Sequence, residues 1–180
     1  EKGWSFFVID DKPLSQLKGP SKTFGLTDFA NKTVFIDGRK KTLFSKAPHP
    51  FSVRQTMAHE LFHVIQHEAY VSSFGVSYWP QKFEHNANAF ARMLLLPEAL
   101  FKGFLEFYCF VHGLSVPKDF NHSDHEKALR IILDSVIPDI ARMMEAPTCS
   151  VAIRMKDLKV YPESFSETLI KEAQKRQYKL

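Results

Sequence analysis

Apolar positions along the chain change period near residue 50. Before it they come in short β-rich runs: WSFFVI at 4–9, TVFID at 33–37 and KTLF at 41–44, the last two flanking DGRK. The first run predicts a strand, closed by Asp10, Asp11 and Pro13, and the other two predict a hairpin with Gly38 in its turn. APHP at 47–50 breaks the pattern, and beyond it the period is helical. SVRQ at 52–55 has capping-box spacing and predicts a helix start at Ser52, with Val53, Met57, Leu61 and Val64 as its buried stripe. A loop is expected over 71–79. A second helix follows from Pro80 to Leu96, stopped by Pro97, with Phe83, Ala87, Phe90 and Leu94 inward.

The stretch 98–112 predicts a third helix, heavily aromatic and expected in the core, ended by Gly113. A linker over 115–121 leads to a second capping box, SDHE at 123–126, and a helix to about Val136. Two more helices are expected over 138–145 and 147–158. The segment from Pro162 carries Lys171, Lys175, Arg176 and Lys179 and predicts a solvated basic helix. The expected division is 1–114, a helical region over 115–161, and a basic tail over 162–180.

Composition narrows the class. With 180 residues, 44% hydrophobic and 17 Phe, the chain is long enough for a core without disulfides and too apolar for disorder. No apolar run approaches the roughly 18 residues of a bilayer span, so no membrane association is expected. No cationic, apolar leader is visible, so no signal peptide is expected either. Cys109 and Cys149 lack metal-ligand spacing and read as reduced thiols. The net charge of +4 comes from 24 basic and 20 acidic residues, interspersed, and does not demand a nucleic-acid partner. The eight histidines are the unusual feature.

Two of them are organised. In AHELFHVIQH at 58–67, His59-Glu60-Leu61-Phe62-His63 is an H-E-x-x-H motif on the helix already predicted. Four residues make a little over one turn, so both imidazoles leave one face and can hold one metal ion. Glu60 reaches beside the metal, where a general base toward an activated water belongs. A third ligand is expected from FEHNANAF on the second helix. Glu84, Asn88 and Ala91 share a face there at i, i+4 and i+7, while His85 and Asn86 are rotated away. Glu84 is the favoured third ligand and His85 the next choice. Asn88 is placed to hydrogen-bond a ligating imidazole from outside, and His67, one turn past His63, falls near the cleft rim. The ligand set favours Zn²⁺, with Mn²⁺ or Fe²⁺ also fitting nitrogen and oxygen donors.

AHELFHVIQH, E-x-x-A-N-x-F-A at Glu84 to Ala91, and RMLLLPEALF together resemble the ImmA/IrrE family of gluzincin-like metallopeptidases. The resemblance implies His59, His63 and Glu84 as zinc ligands and Glu60 as the catalytic carboxylate. It extends upstream to Arg54 and the 33–37 strand, and downstream to VAIRMKDLKV. Phe62 replaces the Gly common before the second ligand, Asn86 replaces Glu or Gln, and Leu96 replaces Met. The resemblance further implies a cytoplasmic zinc endopeptidase that cleaves a helix-turn-helix transcriptional repressor of a stress response or mobile element. An added oxyanion donor is expected among Tyr70, Tyr78, His112, His122 and His125.

The fold class expected from all this is α+β: a small antiparallel or mixed N-terminal sheet packed on the H-E-x-x-H and glutamate helices, then a helix-turn-helix-like region. That region has Ile140, Met143, Val151 and Met155 as its core. Arg154 and Lys156 fall on its second helix, which permits direct DNA binding without favouring it. A metal-dependent sensor or antitoxin-type binding partner without turnover is the remaining alternative.

Overall fold

The structure, a computed structural model, describes residues 3–9, 24–38, 52–74, 82–114 and 125–177. The expected strand at 41–44 with its hairpin, the Pro80 helix start, the 115–121 linker and the 123–126 capping box lie outside these residues. The fold is α+β, mostly helical behind a small N-terminal sheet. The chain packs as two compact units, 1–94 and 95–180.

In the first unit, β1 (Ser5–Ile9), β2 (Gly25–Asp28) and β3 (Thr33–Asp37) form a mixed sheet in the order β1-β3-β2. β1 is parallel to β3, with Ser5 opposite Thr33, and β2 is antiparallel to it, with Gly25 opposite Ile36 and Thr27 opposite Val34. The β2–β3 turn is held by Asp28, whose carboxylate accepts from the Asn31 backbone at 3.1 Å and the Asn31 side chain at 2.8 Å. Alternation sorts β3 into two faces. Val34 and Ile36 are buried in a cluster with Val64, while Phe35 stacks on Phe7 at 5.9 Å. Cross-strand partners share a face, so Gly25 and Thr27 look the same way as Ile36 and Val34.

That face meets α1 (Ser52–Phe74), which begins where expected and continues through the first part of the predicted 71–79 loop. The helix α2 (Lys82–Leu95) meets a second arc of α1, where Phe62 packs on Phe90 at 5.4 Å. At about 100° per residue, His59 and His63 fall between the sheet arc (Val53, Glu60, Val64) and the Phe62 arc. Met57, on the sheet arc by this count, is nevertheless 38% exposed rather than part of the buried stripe. On α2 the buried residues are Ala87 and Ala91, small enough for close approach, and Leu94 on the last turn is exposed instead of inward. Trp4 Nε1 donates to Glu68 at 2.8 Å, and Lys32 pairs with Glu68 at 3.2 Å, tying the sheet to the second half of α1.

The second unit contains α3 (Glu98–Val111), α4 (His125–Ile131), a π-helical turn (Ile132–Val136), α5 (Ile137–Met143), α6 (Thr148–Asp157) and α7 (Glu163–Gln177). α3, grouped by the sequence with the first domain, packs here instead, because Phe101, Leu105 and Cys109 belong to the core of this unit. The break expected at Pro138 is absent. Proline lacks the N–H for an α-helical bond, and the π turn, with Ile137 N–H bonded to the Ile132 carbonyl, carries the chain into α5 in a wider register. α7 is not simply a solvated tail: Phe165, Leu169 and Ala173 are buried in the core, and its basic residues line the outer side. Met143 is exposed, whereas Ile140, Val151 and Met155 are fully buried. Neither Cys109 nor Cys149 is in a disulfide, and burial raises the Cys109 thiol pKa against the pull of a hydrogen bond with Tyr161. No helix among the described residues is long and apolar enough to cross a membrane.

Arg154 is buried and its Nε donates to the Leu96 carbonyl at 3.0 Å. Lys156 is engaged by Glu167 at 3.1 Å and Glu163 at 3.5 Å. Arg154 is therefore withdrawn from the surface, whereas Lys156 is paired at it. Arg154→Ala leaves a buried carbonyl unsatisfied and opens a void, so it is expected to cost about 2–4 kcal/mol in urea unfolding.

Candidate metal centre

His59 and His63 face the notch between the sheet and α2, and Glu84 enters it from the first turn of α2. The two Nε2 atoms are 2.9 Å apart, and the Glu84 carboxylate lies 3.2 Å from each. A tetrahedral zinc with ligands at about 2.0–2.1 Å has donor–donor edges of about 3.3 Å. His59 Nε2 meets Glu84 Oε2 and His63 Nε2 meets Oε1, so the donors stand near the spacing such an ion needs, and two nitrogens with a carboxylate are the chemistry zinc takes.

The surroundings prepare the donors. Asn88 Nδ2 donates to the Glu84 carbonyl at 2.9 Å, which turns its Oδ1 to the His59 Nδ1, 3.2 Å away. With Nδ1 protonated for that bond, Nε2 keeps its lone pair for the centre. Burial, then the neighbouring His59, holds the His63 pKa down to about 4, against the opposing pull of Glu84. His63 is therefore neutral at pH 7, as a ligand must be.

Glu60 is buried beside the histidines, and Thr27 donates its hydroxyl to Oε2 at 2.5 Å. Burial pushes the carboxyl above its usual range. Thr27 and His59 pull the other way, and the charge of Glu84 adds a smaller push upward. A cleft of about 510 Å³ opens over the group, with Phe24, Leu26 and Phe29 as an apolar wall opposite α1.

Gly25 is the second contribution of β2. A Cβ there would collide with Glu60 Oε1 and come within 2.7 Å of Thr56 Cγ2. The carboxylate is the mobile partner, so Gly25→Ala is expected to swing Glu60 aside without unfolding the unit. We expect peptide cleavage to fall about 100-fold, with metal content and melting temperature close to wild type.

The structure brings His59, Glu60, His63, Glu84 and Asn88 together. His85 and Asn86 are exposed on α2. His67 does not join the group: its ring stacks on Phe29 at 4.2 Å and meets the edge of Trp4 at 6.2 Å, backing the cleft wall. Phe62 turns to Phe90 and does not line the cleft. Tyr70 is eleven residues along α1 from His59, about 16 Å away, and His112 pairs with Asp139 at 3.0 Å in the second unit. Tyr78, His122 and the side chain of His125 lie outside the described residues. Gly25 and Thr27 escaped the sequence reading, because GLTD is too short to show a period and only its pairing with β3 aims it at Glu60.

The model of the M78 peptidase family, the IrrE N-terminal-like domain, matches residues 25–109. Over this segment the chain matches the IrrE-like peptidase family. The match takes in β2, β3, α1, α2 and most of α3, so the whole His59, Glu60, His63, Glu84 and Asn88 group falls inside the IrrE-like region. No curated protein and no solved structure gives a significant match.

Proposed function

We propose that this protein is a zinc-dependent endopeptidase whose substrate is a helix-turn-helix transcriptional repressor, acting in the cytoplasm. The observation that carries the peptidase reading is the convergence of His59, His63 and Glu84 on one point with Glu60 buried beside them at an open cleft. Zinc held by those donors would supply polarisation of the scissile carbonyl and activation of a hydrolytic water. Glu60 is placed to accept a proton beside them and to return it to a leaving amine, and burial, which raises its pKa, suits it to hold that proton. Thr27 holds the carboxylate in one rotamer, and Asn88 holds the His59 ring. Phe24, Leu26 and Phe29 offer an apolar wall to substrate side chains. The repressor as substrate rests on the resemblance to ImmA/IrrE proteins.

The test is to incubate zinc-loaded protein, and the same protein stripped by a chelator, with extract of its host cells and to read new protein N-termini by mass spectrometry. A helix-turn-helix regulator should gain one new N-terminus only with the loaded form. Zinc bound at one per chain without any new N-terminus would hand the site to a binding or sensing role. Cleavage of other proteins alone would remove the repressor and keep the peptidase.

A further inference from the structure

α3 is apolar on the side turned away from its core as well as on the side that builds it. Phe101, Leu105 and Cys109 are buried, yet Leu100, Phe107, Phe110 and Val111 are 54%, 56%, 83% and 55% exposed. Plotted at about 100° per residue, the outward arc also holds Ala99 and Gly103 and contains no charge. Glu106 stands at its edge, and Lys102 and Glu98, paired at 2.6 Å, lie further round beside Cys109. A helix apolar all round is normally covered on both sides.

We infer that this outward face pairs with the same face of a second copy of the chain, about a twofold axis level with Leu105. Two observations select a second copy. The first is shape. An antiparallel copy on that axis sets Phe107 beside Gly103 and Phe110 beside Leu100, a larger side chain against a smaller one at each level. Gly103 has nothing within 4 Å of where its Cβ would stand, so it leaves an open seat for the ring of Phe107. The absence of charge on the arc means that no like charges meet when it faces itself. The second is area. The exposed side chains amount to on the order of 500 Å² per copy, and two copies reach the roughly 1,000 Å² at which a specific but weak interface begins. A micromolar dimer is the expected result.

Sedimentation of the full chain between about 1 and 200 µM tests this. Wild type should pass from monomer to dimer within that range, and Phe110→Glu and Gly103→Leu should each weaken the dimer at least about 10-fold. Gly103→Ala guards against misfolding as the explanation. Its Cβ meets open space in the single chain, so it should raise the melting temperature of dilute protein, where Ala replaces Gly within a helix, while still weakening the dimer. Wild type that stays monomeric at the highest concentration overturns the inference. So does a dimer indifferent to both Phe110→Glu and Gly103→Leu.

Discussion

Glu60→Gln protein is expected to bind zinc like wild type and to lose cleavage by about three orders of magnitude. The substitution keeps the shape of the side chain, and the Thr27 hydroxyl can still donate to the amide oxygen. His59, His63 and Glu84 are untouched, so elemental analysis should still return one zinc per chain. What is removed is the only buried carboxylate of the group, and with it the proton acceptor. A pH effect on stability accompanies this. The folded pKa of Glu60 is raised by burial, so the folded metal-free protein holds its proton to higher pH than the unfolded chain does. The stability from protonated Glu60 is full below its unfolded value of 4.5 and is lost as pH rises through the folded value. Metal-stripped Glu60→Gln should therefore melt above stripped wild type at pH 7, and the gap should narrow toward pH 4. Residual cleavage near the wild-type rate would assign the base to another residue.

Glu84→Ala is expected to lose the metal itself. Partners that merely orient a ligand are worth about 10–100-fold in metal affinity, and Glu84 stands at ligand distance rather than behind one. Loss should therefore exceed about 100-fold, read as zinc content after dialysis against a weak chelator. The fold should survive, since the Glu84 side chain is 56% exposed and its neighbours Ala87 and Ala91 carry the packing. Glu84→Gln separates charge from position: an amide oxygen at the same place should recover only part of the affinity. His85→Ala should keep full zinc, because His85 is exposed on α2. Zinc retained by Glu84→Ala and lost by His85→Ala would reverse the assignment.

Much of the site was legible because it is written in helical periodicity, a local property. His59 and His63 at i and i+4 must leave one face of α1, and Glu84 and Asn88 at i and i+4 must leave one face of α2. The TVFID strand and the α3 boundary at Gly113, with φ of 69°, follow from equally local signals. The ends of the apolar stripes did not. Met57 and Leu94 fit the period yet are exposed, while Ala87 and Ala91 are fully buried.

The candidate chemistry is legible in the residues alone: two imidazoles on one helix face with a carboxylate beside them, and a further carboxylate on the next helix. Tertiary structure alone decided what surrounds them. Thr27 and Gly25 reach Glu60 only because β2 pairs antiparallel with β3 and turns one face to α1. Arg154, basic and on a helix of the right spacing for DNA, is withdrawn into the core by a carbonyl 58 residues away in sequence. α3 is aromatic throughout, but only packing decides which of its faces is core and which is left for a partner. The reason is common to all three. Periodicity fixes which side chains share a face, whereas burial and hydrogen bonding depend on which distant element that face meets.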